Sequence, residues 1–279
     1  MLPSEQTPIT VAHLFPEIDA LLIELLQSLT EAEWQKPTVA KQWCVKDVAA
    51  HLLDGNLRTL SIQRDKFFGE NPGNIDAYQD LVAWLNTLNA SWVKASKRLS
   101  PQVLVLLLQT TGPLVSSYYA SLPPKAIAIF PVAWAGETQS KNWLHVAREY
   151  TEKFIHQQQI RAAVGKQALI NEQYFVPFVQ IIMQALPAAF SHVSAALRTT
   201  IQINITPVGG TYFLVKQPQG WQLIADAKEQ PITTLTIDSN IAWQLFSGSM
   251  TAEVAKPQIK IDGFASLADI VLSMRAFMV

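Results

Sequence analysis

The chain has a single cysteine, Cys44, among its 279 residues. No intrachain disulfide can form, and nothing calls for an oxidising compartment. Charge of either sign is scarce and nearly balanced, with 21 Lys and Arg against 22 Asp and Glu for a formal net charge of −1. The basic surplus that nucleic-acid binding draws on is therefore missing. Glycine-rich phosphate signatures, the P-loop and the dinucleotide turn, are absent, as are C-x-x-C and G-x-S-x-G. The first residues, MLPSEQTP, lack the basic start and apolar run of a signal peptide. Apolar runs such as Val103 to Leu108 are far shorter than a bilayer span. The expectation is a soluble cytoplasmic protein that takes a small-molecule substrate, without a nucleic-acid or membrane partner. Its hydrophobic content of 49% is enough for a sizeable core, and its length for one large domain or two ordinary ones.

The first two thirds carry apolar residues at helical spacing. Phe15 to Leu29 is apolar at helical spacing, with Phe15, Ile18, Leu21, Leu22, Leu25, Leu26 and Leu29. Thr30 with Glu33 reads as a capping box that opens a short turn, which Pro37 ends. Val45 to Phe68 is a second long helix, with Gly69 as its stop, and Tyr78 to Leu99 a third. Ser100-Pro101 is an N-cap followed by proline at the first helical position, so a fourth helix runs to about Leu122, with a bend at Gly112-Pro113. Ala126 to Gly136 reads as extended. Trp143 to Val164 is the last strong helix of this part, closed by Gly165.

The final third changes period. Ile201, Ile203 and Ile205 alternate with polar residues, as a half-buried strand does. Strands follow at Tyr212 to Lys216, Trp221 to Ala225, Thr233 to Ile237 and around Ile259 and Ile261. Helices are expected at Tyr174 to Leu197, Ile241 to Phe246 and Leu267 to Met278. The pattern is a helical bundle over residues 1–168 followed by a small α+β domain over residues 169–279.

Chemistry is concentrated in three residues. Glu152 and His156 are spaced i, i+4, which places them one turn apart on one helix face. His51 lies on another apolar-periodic segment. If the two helices pack side by side, two imidazoles and a carboxylate converge, with a fourth position left for water or substrate, the layout of a catalytic zinc site. Nickel, iron and cobalt suit the same donors. The bland alternatives are a core histidine for His51 and a solvated pair for Glu152 and His156. His145, Glu149, Glu152 and His156 step by four, three and four, so they form one stripe, either a wet face or the lining of a cavity. His145 is the reserve ligand. Asp47 and Asp54 flank His51 by about a turn and could orient its imidazole, or serve as a helix-dipole charge and plain surface. Arg58 and Arg161 could hold an anionic substrate or be solvated. Cys44 is assigned to packing.

The stretch Leu29 to Gly55, LTEAEWQKPTVAKQWCVKDVAAHLLDG, resembles the opening of a DinB-like four-helix bundle, and within that group the N-terminal domain of mycothiol-dependent maleylpyruvate isomerases. The resemblance is carried by Trp34, Pro37-Thr38, Trp43 and His51-Leu52, and later by AREYTEKFIHQQQIRAAVGK with its Glu152 and His156. From about Trp221 through Ile261-Asp262-Gly263 to Met278 the chain resembles the small sterol carrier protein-like domain that follows the bundle in these isomerases. The resemblance implies His51, Glu152 and His156 as ligands of a divalent metal, and a reaction in which a low-molecular-weight thiol adds to an electrophile, by isomerisation or S-transfer. Arg275 is the candidate substrate residue on the terminal helix. The competing function is a non-catalytic protein that binds a metal or an apolar ligand.

Overall fold

The computed structural model describes residues 8–40, 42–70, 73–74 and 76–274. The chain divides into two compact units, residues 1–131 with 139–168, and residues 132–138 with 169–279. The first is helical and the second is built on a five-stranded sheet.

In the helical unit, α1 spans Phe15–Gln27, α2 Glu31–Trp34, α3 Val45–Arg58, α4 Tyr78–Ser96, α5 Pro101–Ser121 and α6 Asn142–Val164. Local chemistry sets several of these ends. Thr30 Oγ1 accepts from the Glu33 amide at 3.3 Å while Glu33 Oε2 accepts from the Thr30 amide at 2.8 Å, a reciprocal cap that starts α2. Ser100 Oγ accepts from the Val103 amide at 3.2 Å, with Pro101 beginning α5. Gly165 closes α6 at φ +69°, a left-handed position that costs glycine little. α3 packs against α4, α5 and α6, and α1 against α5 and α6. Their meeting faces bury Leu22, Leu26, Leu53, Val48, Leu104 and Ile160. Burying each such side chain contributes about 1.5–3 kcal/mol.

α5 stays helical through Pro113. The ring sits on the exposed side, where the carbonyl it leaves without a donor can turn to water. α5 is also 21 residues long and apolar enough to cross a membrane by length and composition. Helix formation joins apolar runs that look short in sequence. Leu104, Leu108, Val115 and Tyr119 of this helix are buried.

Two expectations for this unit need correction. The helix from Val45 stops being α-helical at Arg58 and continues as a π-helical stretch, Thr59–Arg64. It ends there, before Gly69, and Lys66 takes the positive φ of 60°. The wider turn coincides with the place where Thr59 and Gln63 engage buried partners, described below. The segment Ala126 to Gly136, read as extended, carries one bridge, Ile127 to Lys141, and turns into a 3-10 helix at Ala133–Ala135.

The second unit holds α7 (Glu172–Ile182), α8 (Leu186–Ala189), β1 (Thr200–Thr206), β2 (Gly210–Gln217), β3 (Gly220–Ile224), β4 (Thr233–Asp238), α9 (Ser239–Phe246), α10 (Ala252–Ala255), β5 (Lys260–Gly263) and α11 (Ala265–Ser273). The sheet order is β3-β2-β1-β4-β5. β1 and β4 run parallel, with Ile203 opposite Leu235, and the other neighbours are antiparallel. Ile201, Ile203 and Ile205 of β1 and Leu235 and Ile237 of β4 are buried, while Gln202 and Asn204 are half-buried. Gly263 is required where β5 meets β4, because a Cβ there would lie 2.1 Å from the Ile232 carbonyl oxygen. α9 packs on β1 and β4, α11 on β4 and β5, and α8 on β3. The helix expected over Tyr174 to Leu197 breaks at Ile182 into a 3-10 turn, Met183–Ala185, and resumes with Pro187 in the first turn of α8. Pro187 has no amide to continue the ladder back to the preceding turn. The last residues of the expected terminal helix lie outside the described residues.

Candidate metal centre

α3 and α6 each carry part of the site. α3 begins at Cys44, whose amide donates to Asp47 Oδ2 at 3.1 Å and whose thiol donates to the same oxygen at 3.2 Å. Asp47 therefore caps α3. That start brings His51 to the face opposite Glu152 and His156 of α6. One ligand atom from each of the three residues lies within 4.8 Å of the others. The imidazole centroids of His51 and His156 are 4.7 Å apart at 77°, and His156 Nε2 lies 3.6 Å from Glu152 Oε2. Trp43, just before α3, covers both imidazoles, its ring 4.9 Å from His51 and 6.3 Å from His156.

The protonation pattern matters more than the proximity. Gln159 Oε1 lies 2.8 Å from His156 Nδ1, and a carbonyl oxygen only accepts, so Nδ1 carries the proton. Nε2 then faces the Glu152 carboxylate. Burial, followed by the neighbouring His156 and Arg58, pushes His51 well below 6.5, so it is neutral at pH 7. Its Nδ1 is buried without a hydrogen-bond partner. Two imidazoles and one carboxylate form a donor set for a divalent transition metal or zinc, and Gln159 is the type of neighbour that fixes a ligating histidine's tautomer.

The other expected residues fall elsewhere. His145 is fully buried, and both its nitrogens are engaged. Nε2 donates to Gln63 Oε1 at 2.8 Å and Nδ1 accepts from Arg148 at 3.2 Å. Burial, then Arg148, lowers its pKa to about 4. It is a buried hydrogen-bonding residue, and not the reserve ligand that its place on the stripe suggested. Gln63 continues to Thr59, which shares a 2.9 Å hydrogen bond with the Tyr119 hydroxyl. Glu149 pairs with Arg148. Burial works to raise its pKa, but Arg148, His145, Arg58 and Lys153 together hold it below the ordinary value. Asp54 pairs with Arg58 at 3.0 Å, and burial, opposed by that guanidinium, raises its carboxyl. Arg58 also donates to Asn89 on α4 at 3.1 Å. Arg161 donates to the Gln167 carbonyl at the end of α6. Cys44 is half-buried, and burial raises its thiol. Arg275 lies outside the described residues. Sequence reasoning missed Trp43 and Gln159 as members of the site. Gln159 had a usable signal in its i, i+3 spacing from His156, and Trp43 had one in its place among the residues that carry the family resemblance.

Residues 15–161 match the family model of the mycothiol maleylpyruvate isomerase N-terminal domain. The crystal structure of the mycothiol-dependent maleylpyruvate isomerase superposes with a TM-score of 0.52 at 10% identity, covering 86% of this chain and 88% of that one. A histidine-to-alanine mutant of the same isomerase superposes with a TM-score of 0.51 at 10% identity over the same shares of the two chains. A sterol carrier protein domain 2 from Helicoverpa armigera matches at 22% identity, covering 36% of this chain and 86% of that one, with a TM-score of 0.26. None of the curated proteins matches the sequence.

Proposed function

The chain belongs to the mycothiol maleylpyruvate isomerase N-terminal domain family, and from that premise we propose that it is a metal-dependent enzyme using a low-molecular-weight thiol against an electrophilic small molecule. The observation that carries this reading is the convergence of His51, Glu152 and His156 within 4.8 Å. These three side chains would hold a divalent cation, with zinc the best fit to two imidazoles and a carboxylate. Bound there, the cation would lower the pKa of a coordinated thiol and supply a thiolate near neutral pH without a general base.

The remaining work belongs to the protein's own groups. Gln159 keeps the proton on His156 Nδ1 and so keeps Nε2 a donor of electrons. Burial keeps His51 unprotonated. Trp43 packs against both rings and shields that side from water. The reaction class is addition of the thiolate sulfur to one carbon of a carbon–carbon double bond conjugated to a carbonyl, with the electron pair moving into that carbonyl as an enolate. Rotation about the resulting single bond and expulsion of the thiolate gives isomerisation, and protonation of the enolate carbon with the sulfur retained gives S-transfer.

The test is elemental analysis of the purified protein together with consumption of cellular thiols, mycothiol among them, in the presence of unsaturated ketoacids. Stoichiometric metal with thiol-dependent turnover supports the reading. Metal without turnover favours a non-catalytic metal-binding protein, and absence of metal after purification in zinc-supplemented medium defeats both.

A further inference from the structure

A buried polar network joins four helices of the first unit. Lys153 of α6 places Nζ 2.6 Å from Oδ1 of Asp19 on α1. The same ammonium donates to Oδ1 of Asn56 on α3 at 3.1 Å. Asn56 in turn donates from Nδ2 to Thr111 Oγ1 on α5 at 2.9 Å. Lys153, Asn56 and Thr111 are all buried. Gly112 makes room for the Asp19 carboxylate, since a Cβ there would lie 2.9 Å from Oδ2.

Stability alone is a weak reason for such a network. Replacing a buried ion pair by apolar side chains of similar volume is often neutral or stabilising. The position of Lys153 offers a better one. It directly follows Glu152 and precedes His156 by three residues, so the three side chains fan over about 100° of the helix circumference. Tying Lys153 to α1 and α3 therefore fixes which way Glu152 and His156 point. The tolerance is narrow. A side-chain end about 6 Å from the helix axis travels about 2 Å for a roll of about 20°, which is the length of a whole metal–ligand bond.

We propose that the Lys153–Asp19–Asn56–Thr111 network sets the rotational register of α6 against α3, and so sets the reach from His51 to Glu152 and His156. Lys153 and Asp19 are positioning residues that act through the two ligands on α6. An apolar replacement would keep α6 packed yet release its azimuth, because aliphatic contacts are non-directional. The inference rests on the metal-centre reading above.

The experiment compares the parent with the double variant Asp19→Leu/Lys153→Met, which removes both charges together. Zinc affinity is read by competition with a chromogenic chelator, coordination by the visible absorption of the cobalt-loaded protein, and fold by circular dichroism. The expected result is a double variant with parental helicity, zinc affinity lower by at least tenfold, the range seen when groups supporting metal ligands are removed, and an altered cobalt spectrum. Parental affinity with a parental spectrum overturns the inference while leaving the metal reading intact. A parent that takes up neither zinc nor cobalt overturns the metal reading, and the inference with it. If the double variant does not fold, Thr111→Val cuts the network on α5, away from the ligand helices. A severalfold loss of zinc affinity supports the inference there, and an unchanged affinity overturns it.

Discussion

His145→Gln separates a ligand from a buried hydrogen-bonding residue. The side chain donates to Gln63 and accepts from Arg148, and a glutamine amide can do both without titrating. In the folded parent the His145 pKa is about 4, against about 6.5 in an unfolded chain. As pH falls below 6.5 the unfolded chain takes up a proton that the folded one refuses, so the parent loses stability until pH 4, where both forms are protonated. The gap between 6.5 and about 4, at about 1.4 kcal/mol per pH unit, corresponds to about 3 kcal/mol. Urea unfolding of chelator-treated parent and variant, followed by circular dichroism between pH 7 and pH 4, should give curves that diverge by about that amount in the variant's favour at the acid end. His51 is depressed in both proteins, so its contribution cancels in the comparison. Metal uptake at pH 7 should equal the parent's. Parallel stability curves would refute the assigned burial and hydrogen bonding, and loss of metal would return His145 to the ligand set.

His156→Ala should abolish stoichiometric zinc and thiol-dependent turnover together, since it removes one of three donors; retention of metal by elemental analysis would remove His156 from the centre. Cys44→Ser should leave turnover nearly intact, because the thiol is occupied with Asp47 and is raised by burial; lost turnover with metal retained would make Cys44 the nucleophile. Leu53→Ala should cost about 2–5 kcal/mol in urea unfolding, as Leu53 is fully buried in the helical core; a cost under about 1 kcal/mol would mean that the core collapses around the gap. Gln159→Leu should lower zinc affinity by about 10–100-fold by removing the acceptor that fixes His156; an unchanged affinity by chelator competition would show that the tautomer is set by something else.

The sequence was most legible where the physics is local. The reciprocal cap of Thr30 and Glu33, the Ser100-Pro101 start and the Gly165 stop depend on residues a few positions apart, and the structure has each of them. The alternation of Ile201, Ile203 and Ile205 likewise appears as a strand buried on one face. Legibility fails where a partner is distant. Lys153 and Asp19 are 134 positions apart, and Gln63 and His145 are 82 apart. No period or motif announces either pair. The spacing of His145, Glu149, Glu152 and His156 places them on one stripe of α6, but spacing cannot say that the two ends of that stripe have separate partners.

α6 shows why the bundle cannot be understood as a packing problem alone. A helix in this position ordinarily turns an apolar face inward, yet α6 buries His145, Thr151, Lys153, His156, Gln157 and Gln159. Each of these costs desolvation energy that only a well-aimed partner returns. Leucines at the same positions would make a more stable bundle by simple area arguments. Such a bundle would have no lone pairs opposite His51 and nothing directional to fix the roll of α6. The polar interior therefore trades stability for the defined placement of a few nitrogen and oxygen atoms, and those atoms converge where α3 and α6 bring His51, Glu152 and His156 together. A variant bundle with Asp19, Lys153, Gln157 and Thr151 all replaced by aliphatic residues, so that no charge of the Asp19–Lys153 pair is left alone, should accordingly melt higher than the parent while binding zinc less tightly. A melting temperature that falls along with zinc affinity would show that the polar interior holds the bundle together rather than aiming the site.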